Sequence, residues 1–202
     1  MTPTGTFVVS MITVLAFVPI AAQPGGQRGG APAAPPMTLT VVGFADGADI
    51  PVKFTQAAPG VATGEGLSPA INWTNPPAGT QSFFLNMHDE DVSRNKTTDD
   101  QAHWVVGNLP ASATGLPEGV PKGPKLSNGA FQISATGQMY RGPGAAANAP
   151  KHHYMFEIYA LDTMIDVQPT ADAFETRANV MKAIQGHVLG KAVYGGLFKR
   201  PQ

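Results

Sequence analysis

The chain is 202 residues long, enough for one domain with appendages but thin for two. Charged residues make up 13%, about half the roughly 25% usual for soluble domains, and a net charge of −1 leaves no basic field to hold nucleic acid or an anionic bilayer. With no cysteine there is no disulfide, thiolate metal site, cysteine nucleophile or lipid-bearing N-terminal cysteine.

Residues 1–22 carry no Asp, Glu, Lys or Arg, and Phe7 to Ala22 is mostly apolar. That run is short for a membrane-spanning helix, which needs roughly 20 residues, and it ends in small residues before Gln23. It reads as a cleaved signal peptide, with a retained N-terminal anchor as the alternative. The expected location is therefore periplasmic or secreted, with no stable membrane span after cleavage. Residues 23–36, rich in Gly, Pro and Ala, cannot bury a face and read as a disordered linker. The folded unit is expected over 37–202.

Within it, 23 glycines and 19 prolines along the whole chain favour many turns and short strands over long helices. Met37–Phe44 is rich in β-branched residues and predicts a first strand. Ser68-Pro69 leads into a short strand at Ile71–Trp73, and Asn75–Gly79 is a turn. Gln81–Asp89, His103–Leu109 and His152–Asp162 predict three further strands. Residues 90–102 and 110–150 between them are long and Gly/Pro-rich, and loops of that length usually carry function. Thr176–Ile184 suits a helix with Thr176 as N-cap and Gly186 just past its end, and Ala192–Lys199 a final strand. The expected fold is mainly β: an antiparallel β-sandwich with one or two short helices near the C-terminus.

Strand parity gathers polar residues at one rim, because alternate residues share a face. In the His152 strand, His152 and Tyr154 head the apolar row Phe156, Ile158, Ala160. In the Gln81 strand, Asp89 ends the row Phe83, Leu85, Met87, and His88 points the other way. His103 opens the third strand, with Val105 expected on its face and Trp104 on the opposite one. A carboxylate, two imidazoles and a phenol at a rim suit recognition of a small anionic or zwitterionic group. His and Tyr would donate to phosphate or carboxylate oxygens, with Asp89 orienting an imidazole. Gly142-Pro143-Gly144 would let backbone approach a ligand closely. Glu90, Asp99 and Asp100 read as a solvated acidic loop, Asp91 is ambiguous, and Trp73 and Trp104 read as core. No HExxH or comparable ligand spacing marks a metal site, and no GxSxG, P-loop or dinucleotide fingerprint follows a strand. No cofactor is expected.

These residues recur in an order that resembles the phosphatidylethanolamine-binding protein family, and especially its bacterial Raf-kinase-inhibitor-like branch. Ser68-Pro69 with Trp73 is similar to its S-P-x-L-x-W entry, His88–Asp91 to its D-P-D loop, His103–Val105 to H-W-V and Asn108–Pro110 to N-I-P. Tyr140–Pro143 is similar to Y-x-G-P, His152–Tyr154 to H-x-Y, Tyr159–Asp162 to Y-A-L-D, and Gly186 to Arg200 to the C-terminal G-H-x-L…G-x-x-x-R. Glu90 stands where that family usually has Pro. The resemblance implies an antiparallel β-sandwich with a preformed anion pocket at Asp89, Asp91, His103, Gly142, Pro143, His152 and Tyr154.

The leading expectation is a non-catalytic binding protein for a small anionic or phosphate-bearing ligand. Its affinity should weaken as histidine deprotonates above roughly pH 6.5. The resemblance implies a second reading, an inhibitor of a kinase- or peptidase-type protein partner acting through loops 90–102 and 110–150, which would need an exposed apolar loop patch. A third is a hydrolase using an Asp–His pair as general base, although no activated nucleophile accompanies it. Oligomeric state is not encoded in any of these features.

Overall fold

The computed structural model describes Met1 and residues 34–202. The expected signal peptide and most of the linker lie outside the described residues. Among the described residues no helix is long and apolar enough to cross a membrane.

Among the described residues the β-branched and aromatic runs form eight strands, all paired antiparallel. These are β1 (Thr38–Val41), β2 (Ile71–Thr74), β3 (Ser82–Asp89), β4 (Gln101–Pro110), β5 (Gly115–Leu116), β6 (Phe131–Ile133), β7 (His152–Leu161) and β8 (Val188–Phe198). A small sheet has the order β1-β2-β5, and a large one the order β6-β4-β3-β7-β8. The apolar rows predicted by parity meet between the sheets: Phe83, Leu85 and Met87 of β3 and Tyr154, Phe156, Ile158 and Ala160 of β7 pack with Val41, Ile71 and Trp73 of the small sheet. Trp73 and Trp104 are both buried in this core, as core residues rather than ligand platforms.

The opposite face of the large sheet is covered by α1 (Ala173–Ala183), through Ala173 and Val180 against Phe84, Val105, Phe131 and Tyr159. This second layer explains why β3 is buried at every position rather than at alternate ones. The sandwich with one α-helix fits the expected class, but three local expectations are corrected. The helix starts earlier: Asp172, not Thr176, is the N-cap, its carboxylate accepting from the Phe174 and Glu175 amides at 2.8 and 3.4 Å. Asp172 with Glu175 three residues on has the spacing of a capping box. The 110–150 stretch contains the short strands β5 and β6. The final strand begins at Val188 and pairs with β7 along its whole length.

A further correction concerns His103. Between Met87↔Trp104 and His88↔Ala102 the register advances one residue on β3 and two on β4, so His103 is the extra residue of a β-bulge. Simple alternation therefore breaks at this point. Trp104 stays in the core between the sheets and Val105 faces the helix. His103 lies with Tyr154, edge to face, with ring centroids 5.1 Å apart.

The described chain enters at the far end of the sandwich. Pro36 accepts a hydrogen bond from Asn75 at 3.2 Å, and Met37 lies beside Gly190, which pairs with Ala160 of β7. His152 stands at the other end of β7, about 25 Å away at roughly 3.3 Å per residue.

Candidate functional site

Where β3 ends and β4 and β7 begin, the sheet opens into a cavity of about 410 Å³. Asp89, His103, His152 and Tyr154, each placed at a strand end by its own apolar row or by the bulge, line it together. Asp89 is only 3% exposed. Its Oδ2 accepts from His152 Nδ1–H at 2.8 Å and its Oδ1 from the Asp91 amide at 3.1 Å. This fixes the His152 tautomer, with Nδ1 committed to Asp89 and Nε2 the remaining ring nitrogen. The Tyr154 hydroxyl oxygen accepts from the Gly144 and Ala145 amides, both at 3.2 Å. Burial, then the neighbouring Asp89 charge, pushes the Tyr154 phenol well above its ordinary range.

His103 differs from its expected role. It is almost wholly buried, and burial pushes its pKa down to about 3 despite the hydrogen bond its Nδ1–H gives to the Arg141 carbonyl at 2.9 Å. At neutral pH it is an uncharged ring whose remaining nitrogen, Nε2, is an acceptor. It therefore cannot donate to a phosphate oxygen.

The other sequence-predicted residues frame the site rather than line it. Gly142 and Pro143 hold the adjoining loop: their carbonyls accept from the Gln56 side-chain amide at 2.7 Å and the Gln56 backbone amide at 2.9 Å. A Cβ on Gly142 would come within 2.9 Å of the Phe54 carbonyl oxygen and Thr55 backbone, so the close approach is between two loops of the protein, not to a ligand. Tyr140 secures the same loop by donating to the Phe54 carbonyl at 3.0 Å. Asp91 turns to His153, accepting from its amide at 2.6 Å and its Nδ1–H at 3.0 Å. Partial burial works against ionisation of Asp91, but these bonds and the two nearby imidazoles hold it below the usual carboxylate range.

Sequence reading missed the cationic wall. Arg141 and Arg200 both line the cavity, and neither has a carboxylate partner among the described residues. Arg200 is seated by its own amide on the Ala145 carbonyl at 2.9 Å and by Nη1 on the Gln56 carbonyl at 3.2 Å. Gln101 completes the rim, accepting from Arg94 Nη1 at 3.1 Å. The available signal for Arg141 was a basic residue inside the Tyr140–Pro143 loop.

Asp89, Asp91 and His152 offer ligand atoms within 4.8 Å of one another, a spacing a divalent cation could bridge. Such an ion would have to break the Asp89–His152 hydrogen bond and sit in a cavity that also holds two guanidinium groups. The geometry therefore fits an anion better than a cation.

The helix side of the same strands carries a separate polar cluster. His88, 8% exposed, donates from Nδ1 to Asp100 and has Nε2 3.6 Å from Glu157. Asp100 also takes Arg177, and Glu157 takes Lys191 and the Tyr159 hydroxyl. Asp100 is thus not part of a solvated acidic loop: it ties loop to helix, with its carboxyl held low by His88 and Arg177 in spite of its burial. Burial alone would lower His88, but its bonds to Asp100 and Glu157 and their charges raise it to about 9.

Comparison with known proteins gives the family of this fold. The family model for phosphatidylethanolamine-binding protein matches residues 41–199, and the chain belongs to that family. A UPF0098 protein of Methanothermobacter thermautotrophicus is 36% identical over 166 residues, which cover 81% of this chain and 99% of that protein. A protein of Mycobacterium tuberculosis named as a lipoprotein, LppC, is 31% identical over 77% of this chain and 71% of its own length. Among solved structures, a phosphatidylethanolamine-binding protein homologue from Chlamydia trachomatis superposes with a TM-score of 0.65 at 27% identity. That match covers 82% of this chain and 98% of that one.

Proposed function

We propose that this domain is a non-catalytic binding protein for a small phosphate-bearing or otherwise anionic ligand, held in the cavity at the end of the large sheet. The observation that carries the reading is the charge balance of the wall. Two guanidinium groups, Arg141 and Arg200, face one buried carboxylate, Asp89, which is itself committed to His152. Charge left uncompensated in a partly desolvated site is satisfied by a ligand of opposite sign. The loops are cross-tied by Gln56, Tyr140 and Tyr154, so the pocket is preformed and ordering costs on binding are small.

Catalysis is not needed to account for these groups. The Tyr154 oxygen is engaged by two amides and its proton is held tightly, which is the opposite of an activated nucleophile. An inhibitor acting through its loops would display an apolar patch on 90–102 or 110–150. Among the described residues the large exposed apolar side chains, such as Val42, Leu67, Met164 and Val193, lie outside both stretches. Export to the periplasm or exterior fits the apolar N-terminal sequence and the lipoprotein name of one relative.

Calorimetric titration with inorganic phosphate, phosphoethanolamine and acetate tests the proposal, with His152→Ala as the control. Saturable heat that needs His152 supports it. No heat with any of the three anions overturns it.

A further inference from the structure

The cavity wall contains a polar group that the protein leaves unsatisfied. Arg141 Nε is buried with no hydrogen-bond partner, and its guanidinium makes no side-chain bond among the described residues. Unpaired buried donors are uncommon and each calls for a reason. Arg141 is not loosely placed. Its backbone is clamped twice by His103, its amide donating to the His103 carbonyl at 3.0 Å and its carbonyl accepting from His103 Nδ1–H at 2.9 Å. Burial lowers the Arg141 pKa and the like charge of Arg94 adds to that, against the opposing pull of Tyr154 and Asp89. Across the same cavity Arg200 supplies a second fork.

The cavity also presents acceptors. Among the described residues His103 Nε2 is a lone pair with no donor, and the Asp89 carboxylate, which lies beside the Tyr154 hydroxyl, takes His152 and one backbone amide. A ligand that satisfies both sets must bring several anionic oxygens to the guanidiniums and hydrogen atoms to the acceptors. At pH 7.5 a terminal phosphate carries close to two charges, one for each guanidinium, and the hydrogen atoms come from the remaining P–OH of inorganic phosphate or from the ammonium of phosphoethanolamine. A phosphodiester has one charge and no P–OH. Resting on the anion-pocket reading above, we infer that the cavity takes a terminal phosphate, as in a phosphomonoester, in preference to the diester of an intact phospholipid head group, and that Arg141 is the residue that discriminates between them.

The test compares inorganic phosphate, phosphoethanolamine and glycerophosphoethanolamine by calorimetry at pH 7.5, on the wild-type chain and on Arg141→Met and Arg141→Lys. The side chain makes no bond among the described residues, so Arg141→Met should keep the wild-type melting temperature. If it does not fold, Arg141→Lys carries the test, because it keeps the charge but loses the two-pronged donor. Phosphate and phosphoethanolamine are expected to bind at least about tenfold tighter than the diester, consistent with charge-assisted bonds. Phosphate binding without phosphoethanolamine binding would identify free phosphate as the source, and the reverse a monoester. Arg141→Met should bring monoester and diester within about threefold of each other, with Arg141→Lys intermediate. Equal wild-type binding of monoester and diester overturns the inference, as does a preference that survives Arg141→Met, while the anion-pocket reading stands in both cases. Failure of every anion to bind removes that reading as well.

Discussion

Replacing His88 by Gln should flatten the alkaline side of the stability–pH profile. His88 is nearly buried between Asp100 and Glu157, and its pKa in the folded chain is raised from 6.5 to about 9. The folded protein therefore keeps a proton that the unfolded chain gives up. Stability from this group is fully present below pH 6.5 and is lost as pH rises through 9. The slope approaches about 1.4 kcal/mol per pH unit, and the total over that span is about 3 kcal/mol. That is a large share of a typical stability of roughly 5–15 kcal/mol. Urea denaturation at pH 6, 7, 8 and 9 should show the wild type weakening steadily while His88→Gln stays nearly level. The variant leaves Asp100 with Arg177 and Glu157 with Lys191, so neither carboxylate is stranded. A wild-type profile that is flat over this range, or an equal slope in the variant, would refute the linkage.

The acid side should respond to a different histidine. His103 is held neutral down to about pH 3, whereas an unfolded imidazole protonates near 6.5, so its contribution is lost as pH falls below 6.5. His103→Asn should lessen the slope between pH 6.5 and 5 in the same denaturation assay. Tyr154→Phe removes the acceptor of the Gly144 and Ala145 amides and should cost about 1–3 kcal/mol, read as a lower urea midpoint. Gly107→Ala would place a Cβ 2.1 Å from the Phe131 ring, with backbone shifts costing about 1–3 kcal/mol and a visibly lower melting temperature.

The strands were legible where one face is apolar and alternation runs unbroken, as in β7, where Tyr154, Phe156, Ile158 and Ala160 share the core. The same alternation placed Asp89, His152 and Tyr154 at one rim. It failed at His103, because a bulge is defined by the partner strand and leaves no mark on the sequence of β4 alone. Asp100 was misread for a related reason. Its partner Arg177 lies 77 residues away on a helix, so nothing local distinguishes it from solvated Asp99. The strands β5 and β6 span two and three residues, too short for any period to register. Arg141 and Arg200 were invisible as a pair because only the fold brings the Tyr140 loop beside the C-terminal segment.

Where residues 34–202 enter and leave the domain decides how the cavity can be presented. The described chain enters beside Met37 and Gly190, at the end of the sandwich opposite the cavity, whereas Arg200 lies in the cavity wall. Held by its N-terminal side on a sensor surface, a bead or a cell envelope, the domain turns its binding mouth outward, toward solutes in the surrounding fluid. A fusion after Gln202 would instead hang at the mouth itself. Extra histidines there would add imidazoles beside Arg200 and compete for its anion, so affinity handles belong on the N-terminal side.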